Sequence, residues 1–149
     1  MPKPEPLETL IDLAQVNADD AARKLQLLAI ERRNADEQLS TLHVYRQDYA
    51  ERLQKATQNG MSASNYHNFR QFIATLDDAI SQQNRVVAQI DLRIENGKKR
   101  WYTEKRRLSS FETLQSRQKH QQALLDNRKE QRNNDEISAN LLRRAGTTH

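Results

Sequence analysis

The sequence has 149 residues, 36% of them hydrophobic and 30% charged, with 24 basic and 20 acidic side chains, three Gly and no Cys. A mean hydropathy of -1.00 is low for a compact globule and suits long helices that bury only a seam. Disulfides and thiolate metal sites are excluded without Cys, a P-loop or dinucleotide fingerprint without clustered Gly, and a membrane span without a run of about 18 apolar residues.

The prolines are Pro2, Pro4 and Pro6, so residues 1–6 read as an extended or frayed lead, with no apolar core of a secretion signal. From Leu7 onward no Pro interrupts the chain, and because a Pro costs about 3 kcal/mol inside a helix, its absence permits helix throughout. Over residues 7–57 one set of positions seven apart is Leu7, Ala14, Ala21, Leu28, Ala35, Leu42, Tyr49 and Ala56. A second set, offset by three and four, is Ile11, Ala18, Leu25, Arg32, Leu39, Arg46 and Leu53. These are the d and a positions of a coiled coil sustained over seven heptads, a helix of about 75 Å. Asp19, Asp20, Arg23 and Lys24, Asp48 with Arg52, and Glu51 with Lys55 are spaced for surface ion pairs one turn apart.

Gln58, Asn59, Gly60, Met61 and Ser62 form the hinge over 58–62, because Asn-Gly signals a reversal and Ser62 can cap a following helix. The heptads resume over residues 63–144. Phe69, Leu76, Gln83, Ile90, Gly97, Glu104 and Phe111 occupy d, and Tyr66, Ile73, Ile80, Val87, Ile94, Trp101 and Leu108 occupy a. The predicted fold is therefore all-α: a long two-helix antiparallel coiled-coil hairpin, a single domain over 7–144, with a C-terminal helical overhang.

Folding back at the hinge pairs residues whose numbers sum to about 122. Large side chains then meet small ones, as Leu25 with Gly97 and Ala21 with Trp101, which keeps the facing volumes near constant. Arg32 is expected opposite Ile90, Arg46 opposite Leu76 and Gln83 opposite Leu39, polar residues that can fix register. Leu7 is level with Gln115, where the apolar seam of the second helix gives way to Gln115, Gln118 and Gln122. Beyond it lies an overhang of about 45 Å with good helix formers and no intramolecular partner, then a flexible tail over 145–149.

Residues 1–60 carry 8 basic and 10 acidic side chains, 61–114 carry 9 and 6, and 115–149 carry 7 and 4. The run Lys98, Lys99, Arg100, Trp101, Tyr102, Lys105, Arg106 and Arg107 imitates a nucleic-acid site, but the seam claims Trp101 and leaves no aromatic stacking platform. His43, His67, His120 and His149 are scattered, without metal-ligand spacing. A catalytic or cofactor pocket is not expected of two helices alone.

Several stretches together resemble the FliJ family of the bacterial flagellar type III export apparatus. They are Leu7-Glu8-Thr9-Leu10, Asp19-Asp20-Ala21-Ala22, Tyr45-Arg46-Gln47-Asp48-Tyr49, Asn59-Gly60, Phe72-Ile73-Ala74-Thr75-Leu76, the series Trp101, Lys105, Arg107, Leu108, Phe111, Leu114 and Arg117, and Gln131 with Asp135-Glu136. The resemblance implies a stalk-like export chaperone, neither an enzyme nor a nucleic-acid binder. Its implied partners are the hexameric flagellar export ATPase, the cytoplasmic domain of the membrane export gate, and export chaperones. A cytoplasmic protein, peripheral at the inner membrane only through its partners, follows. By the same resemblance Gln38, Leu42, Tyr45, Tyr49, Phe72, Leu76 and Ala79 face the export gate, although Leu42, Tyr49 and Leu76 are also seam positions. Arg128, Gln131, Asp135 and Glu136 on the overhang are assigned to the ATPase ring. The alternatives are the stalk of a virulence-type injectisome and a basic coiled coil that binds nucleic acid through residues 98–107.

Overall fold

Two α-helices, α1 at Pro6–Gln58 and α2 at Ala63–Gly146, carry residues 6–146, the part of the chain that this computed structural model describes. No strand occurs among those residues, and the helices pack against each other as an all-α hairpin. Of the expected lead over residues 1–6 and the expected tail over 145–149, residues 1–5 and 147–149 lie outside the described residues, while Pro6, Ala145 and Gly146 are helical.

Pro6 can open α1 because the first helical position needs no backbone donor. Glu8 in the first turn and Lys55 in the last complement the helix dipole. At the far end the Asn59 N–H donates to the Lys55 carbonyl at 3.1 Å and the Gly60 N–H to that of Thr57 at 3.4 Å. Gly60 has φ +85°, the left-handed conformation that closes helices and that Gly adopts without steric cost. Ser62 then caps α2: its Oγ accepts from the Asn65 N–H at 3.2 Å and its carbonyl from the Tyr66 N–H at 3.0 Å.

Packing divides the chain into two compact units, one of Ala18–Thr103 and one built from the chain up to Asn17 together with Glu104 onward. In the Ala18–Thr103 unit every expected seam position except Tyr66 is buried or half-buried. Tyr66 is 43% exposed, because it sits in the first turn of α2, where the facing end of α1 offers only the small Ala56 before its polar last residues.

Contacts between the helices place the register where the heptads do. Gly97 lies so close to Leu25 that a Cβ there would sit 2.9 Å from Leu25 Cδ2. The Tyr49 ring lies 4.4 Å from that of Phe72 and 6.1 Å from that of Phe69. Arg32 Nε donates to Asp91 Oδ1 at 2.8 Å, Arg46 Nε to Asp77 Oδ1 at 2.5 Å, and Arg93 Nη1 to Glu31 Oε1 at 3.1 Å. In each of these pairs the residue numbers sum to between 118 and 124, close to the expected 122 and short of the shift of seven that a slipped heptad would give.

The polar seam residues satisfy themselves along the edges. Arg32 also pairs with Asp36, and its guanidinium is held above its ordinary pKa first by the hydrogen bond with Asp91, then by the charges of Asp36 and Asp91. Arg46 is raised likewise, by its hydrogen bond to Asp77 and then by that carboxylate's charge. Exposed pairs of this kind contribute little to stability and act mainly in fixing partner and register. Gln83 Nε2 donates to the Ala35 carbonyl at 3.0 Å and to Gln38 Oε1 at 3.2 Å, so this seam amide is satisfied. Among the described residues no buried side-chain polar atom lacks a hydrogen-bond partner.

In the second unit Ala14 and Leu108 are buried and Leu7, Ile11, Phe111 and Gln115 half-buried. From residue 116 to 146 every residue of α2 is exposed.

Candidate functional site

Helical spacing gathers the seven residues assigned to the export gate into two short stripes of the Ala18–Thr103 unit. Gln38, Leu42, Tyr45 and Tyr49 follow one another at intervals of four, three and four on α1, and Phe72, Leu76 and Ala79 at four and three on α2, so each set shares a face. Gln38 bonds to Gln83 at one end and Tyr49 stacks on Phe72 at the other, tilted by 42°, which holds the two stripes side by side.

Exposure differs among them. Gln38, Tyr45 and Phe72 are exposed, Leu42, Tyr49 and Ala79 are half-buried, and Leu76, at 7% exposure, belongs to the core. The Arg52 guanidinium lies 5.4 Å above the Tyr49 ring, near enough for a cation–π attraction. A shallow groove beside Gln38 and Leu42 is lined also by Asn34, Glu37, Thr41 and Gln83. Such a surface offers aromatic edges and amides to a polypeptide, and it has no enclosed space for a small substrate.

In the second unit Arg128, Gln131, Asp135 and Glu136 are all exposed. The first three stand at intervals of three and four, and the same progression passes through Leu124 and Leu142, so five residues share one stripe of α2. Leu142 is 74% exposed. The sequence marks Leu124 only as a helix former and leaves Leu142 unremarked when the seam heptads are followed, since these fail after Gln115. A search for the same three-and-four spacing on any face would have found them.

The basic run is less available than its composition suggests. Trp101 is half-buried and rests against Tyr102 with ring centroids 5.1 Å apart. Lys98 pairs with Glu95 at 3.4 Å and Arg107 with Glu104 at 3.3 Å, while Arg100 stands 4.0 Å from Asp20. Among the described residues no group of three or more His, Asp or Glu could hold a metal ion, and no helix is long and apolar enough to cross a membrane.

The profile of the family described as "Flagellar FliJ protein" matches residues 2–147. The chain belongs to the FliJ family. It is 37% identical over 132 residues to the flagellar FliJ protein of Salmonella typhi and 34% identical over 132 residues to that of Escherichia coli strain K12, covering 89% of this chain and 90% of each relative. Membership supports a role as a component of the flagellar export apparatus.

Proposed function

We propose that this FliJ-family protein is the stalk-like partner of the flagellar export ATPase, linking its hexameric ring to the cytoplasmic domain of the export gate and escorting export chaperones. It acts without catalysis of its own, in the cytoplasm at the inner-membrane face, where its partners hold it. Arg128, Gln131, Asp135 and Glu136 meet the ATPase ring. Gln38, Tyr45 and Phe72 meet the gate, with Leu42, Tyr49, Leu76 and Ala79 shaping the surface from beneath.

The observation that carries this reading is the exposure of every residue from 116 to 146 on a helix that keeps Leu124, Leu125, Ile137, Leu141 and Leu142 in contact with water. A helix with that much unpaired apolar surface is explained by an external partner. One asymmetric helix inside a sixfold ring cannot touch all subunits alike, so its presence biases their conformations unequally.

Flagellar relatives at both identities favour the flagellar apparatus over an injectisome, and the carboxylates beside the basic run favour a protein partner over nucleic acid. Deleting residues 118–149 tests the proposal. ATPase stimulation is expected to vanish while circular dichroism shows the remaining helices intact, and unchanged stimulation would overturn the ring assignment. Phe72→Ala is expected to weaken gate binding without lowering ATPase stimulation.

A further inference from the structure

The α1 face turned away from the seam carries a pattern that the functions above use only at the groove residues Asn34, Glu37 and Thr41. Within the Ala18–Thr103 unit, positions at alternating intervals of three and four are Asp20, Arg23, Leu27, Ile30, Asn34, Glu37, Thr41, Val44, Asp48 and Glu51. They form one stripe. Its apolar members are Leu27, Ile30 and Val44, at 61%, 54% and 63% exposure. Three polar residues, Asn34, Glu37 and Thr41, divide them, and Arg23 and Asp48 stand one position beyond at either end.

We infer that this stripe is a docking surface for a second copy of the chain, packed antiparallel about a twofold axis between Asn34 and Glu37. Charge complementarity selects that occupant and that direction. Residues whose numbers sum to 71 face one another: Leu27 meets Val44 of the other copy, Ile30 meets Thr41, and Asn34 meets Glu37. Arg23 then meets Asp48, and on the flank Asp19 meets Arg52. The twofold repeats each contact, as an isologous interface requires. A parallel pairing would instead set Arg23 against Arg23 and Asp48 against Asp48. Only Asp20 against Glu51, at the outer ends, is a like-charge pair in the antiparallel form.

The apolar layers extend over about 25 Å of helix, much less surface than a standard stable interface of about 1,600 Å² provides. Association is therefore weak, visible at about 100 μM and absent at about 1 μM. It is an equilibrium between single and paired chains that leaves the seam of each intact.

Sedimentation equilibrium of the full-length chain from about 1 to 300 μM tests the inference, with the mass expected to rise toward twice that of the monomer. Arg23→Glu and Asp48→Arg are each expected to weaken association about tenfold or more, since each sets like charges together twice, and the double charge swap is expected to restore it. As the chain has no Cys, Leu27→Cys and Val44→Cys chains provide a second readout. Mixed under oxidising conditions they should cross-link with each other, because the pairing sets these positions opposite. Leu27→Cys alone should not, because its two copies lie about 25 Å apart, far beyond disulfide reach. A monomer at every concentration, cross-linking of Leu27→Cys to itself as fast as to Val44→Cys, or a double swap that fails to restore association would each overturn the inference.

Discussion

Replacing Gly97 with Ala, alone and with Leu25→Ala, measures the register directly. In an isolated helix Gly→Ala stabilises by about 1 kcal/mol. Here the added Cβ would lie 2.9 Å from Leu25 Cδ2, with Leu25 Cγ at 3.6 Å and Leu28 Cδ1 at 3.7 Å. The first distance is too short and the other two are ordinary, so Leu25 must leave its rotamer or the helices must part. Overpacking of this kind costs about 1–3 kcal/mol, and Gly97→Ala alone is expected to destabilise by about 0–2 kcal/mol. In a Leu25→Ala background the obstacle is gone and the same change should stabilise by about 1 kcal/mol. The coupling between the two sites is then about 1–3 kcal/mol. Urea unfolding followed by helical circular dichroism reads it, with the fluorescence of Trp101, one turn from Gly97, as a second probe. A heptad slip would put Ala18 or Arg32 opposite Gly97 and leave Leu25 uncoupled, so a coupling below about 0.5 kcal/mol would refute the layer pairing.

Two changes at the hinge follow from its hydrogen bonds. Ser62→Ala removes the acceptor of the Asn65 N–H and should cost about 1 kcal/mol in the same unfolding assay. Gly60→Ala meets no neighbour within 4 Å, yet the backbone there has φ +85°, so it should destabilise by about 1 kcal/mol through conformation alone, and Gly60→Asn by less.

The seam was legible because heptads report which Cβ atoms face inward, and in a fold held by one seam those positions are nearly the whole core. Ala14, Ala21, Ile73, Leu76, Ile90 and Leu108 are buried for that reason alone. The interhelical ion pairs were not legible, since spacing places a Cβ and leaves a long side chain free to choose. Arg32, expected opposite Ile90, reaches the neighbouring Asp91, and Arg46 passes Leu76 for Asp77. Tyr66 departs from its pattern because an a position at the hinge has too little helix opposite to cover a large ring. The gate assignments rest on resemblance alone. Gln38, Tyr45 and Phe72 carry no periodic signal that separates them from other exposed residues.

The exposed end of α2 poses a physical question of its own: what keeps residues 116–146 helical without a packed face? The packed turns before Gln115 provide the nucleus, so no nucleation cost arises, and each further residue adds one hydrogen bond for about its own loss of entropy. Leu124, Leu125, Arg128, Lys129, Glu130 and Gln131 favour the helix, and Gln122 Nε2 donates to Asp126 Oδ1 at 3.1 Å one turn on. Asn133 and Asn134 oppose it, as side chains that compete for the backbone. The balance is near zero per residue, so protection should decline along the segment and drop after Asn133. Amide hydrogen exchange on the isolated chain is expected to show slow exchange around Ile73 to Ile90 and fast exchange beyond Asn133. Adding the export ATPase should slow the segment that carries Arg128 and Gln131. Protection beyond Asn133 already equal to that of the seam, without any partner, would mean that the helix is held by something other than propensity, and would remove the reason for placing an external partner there.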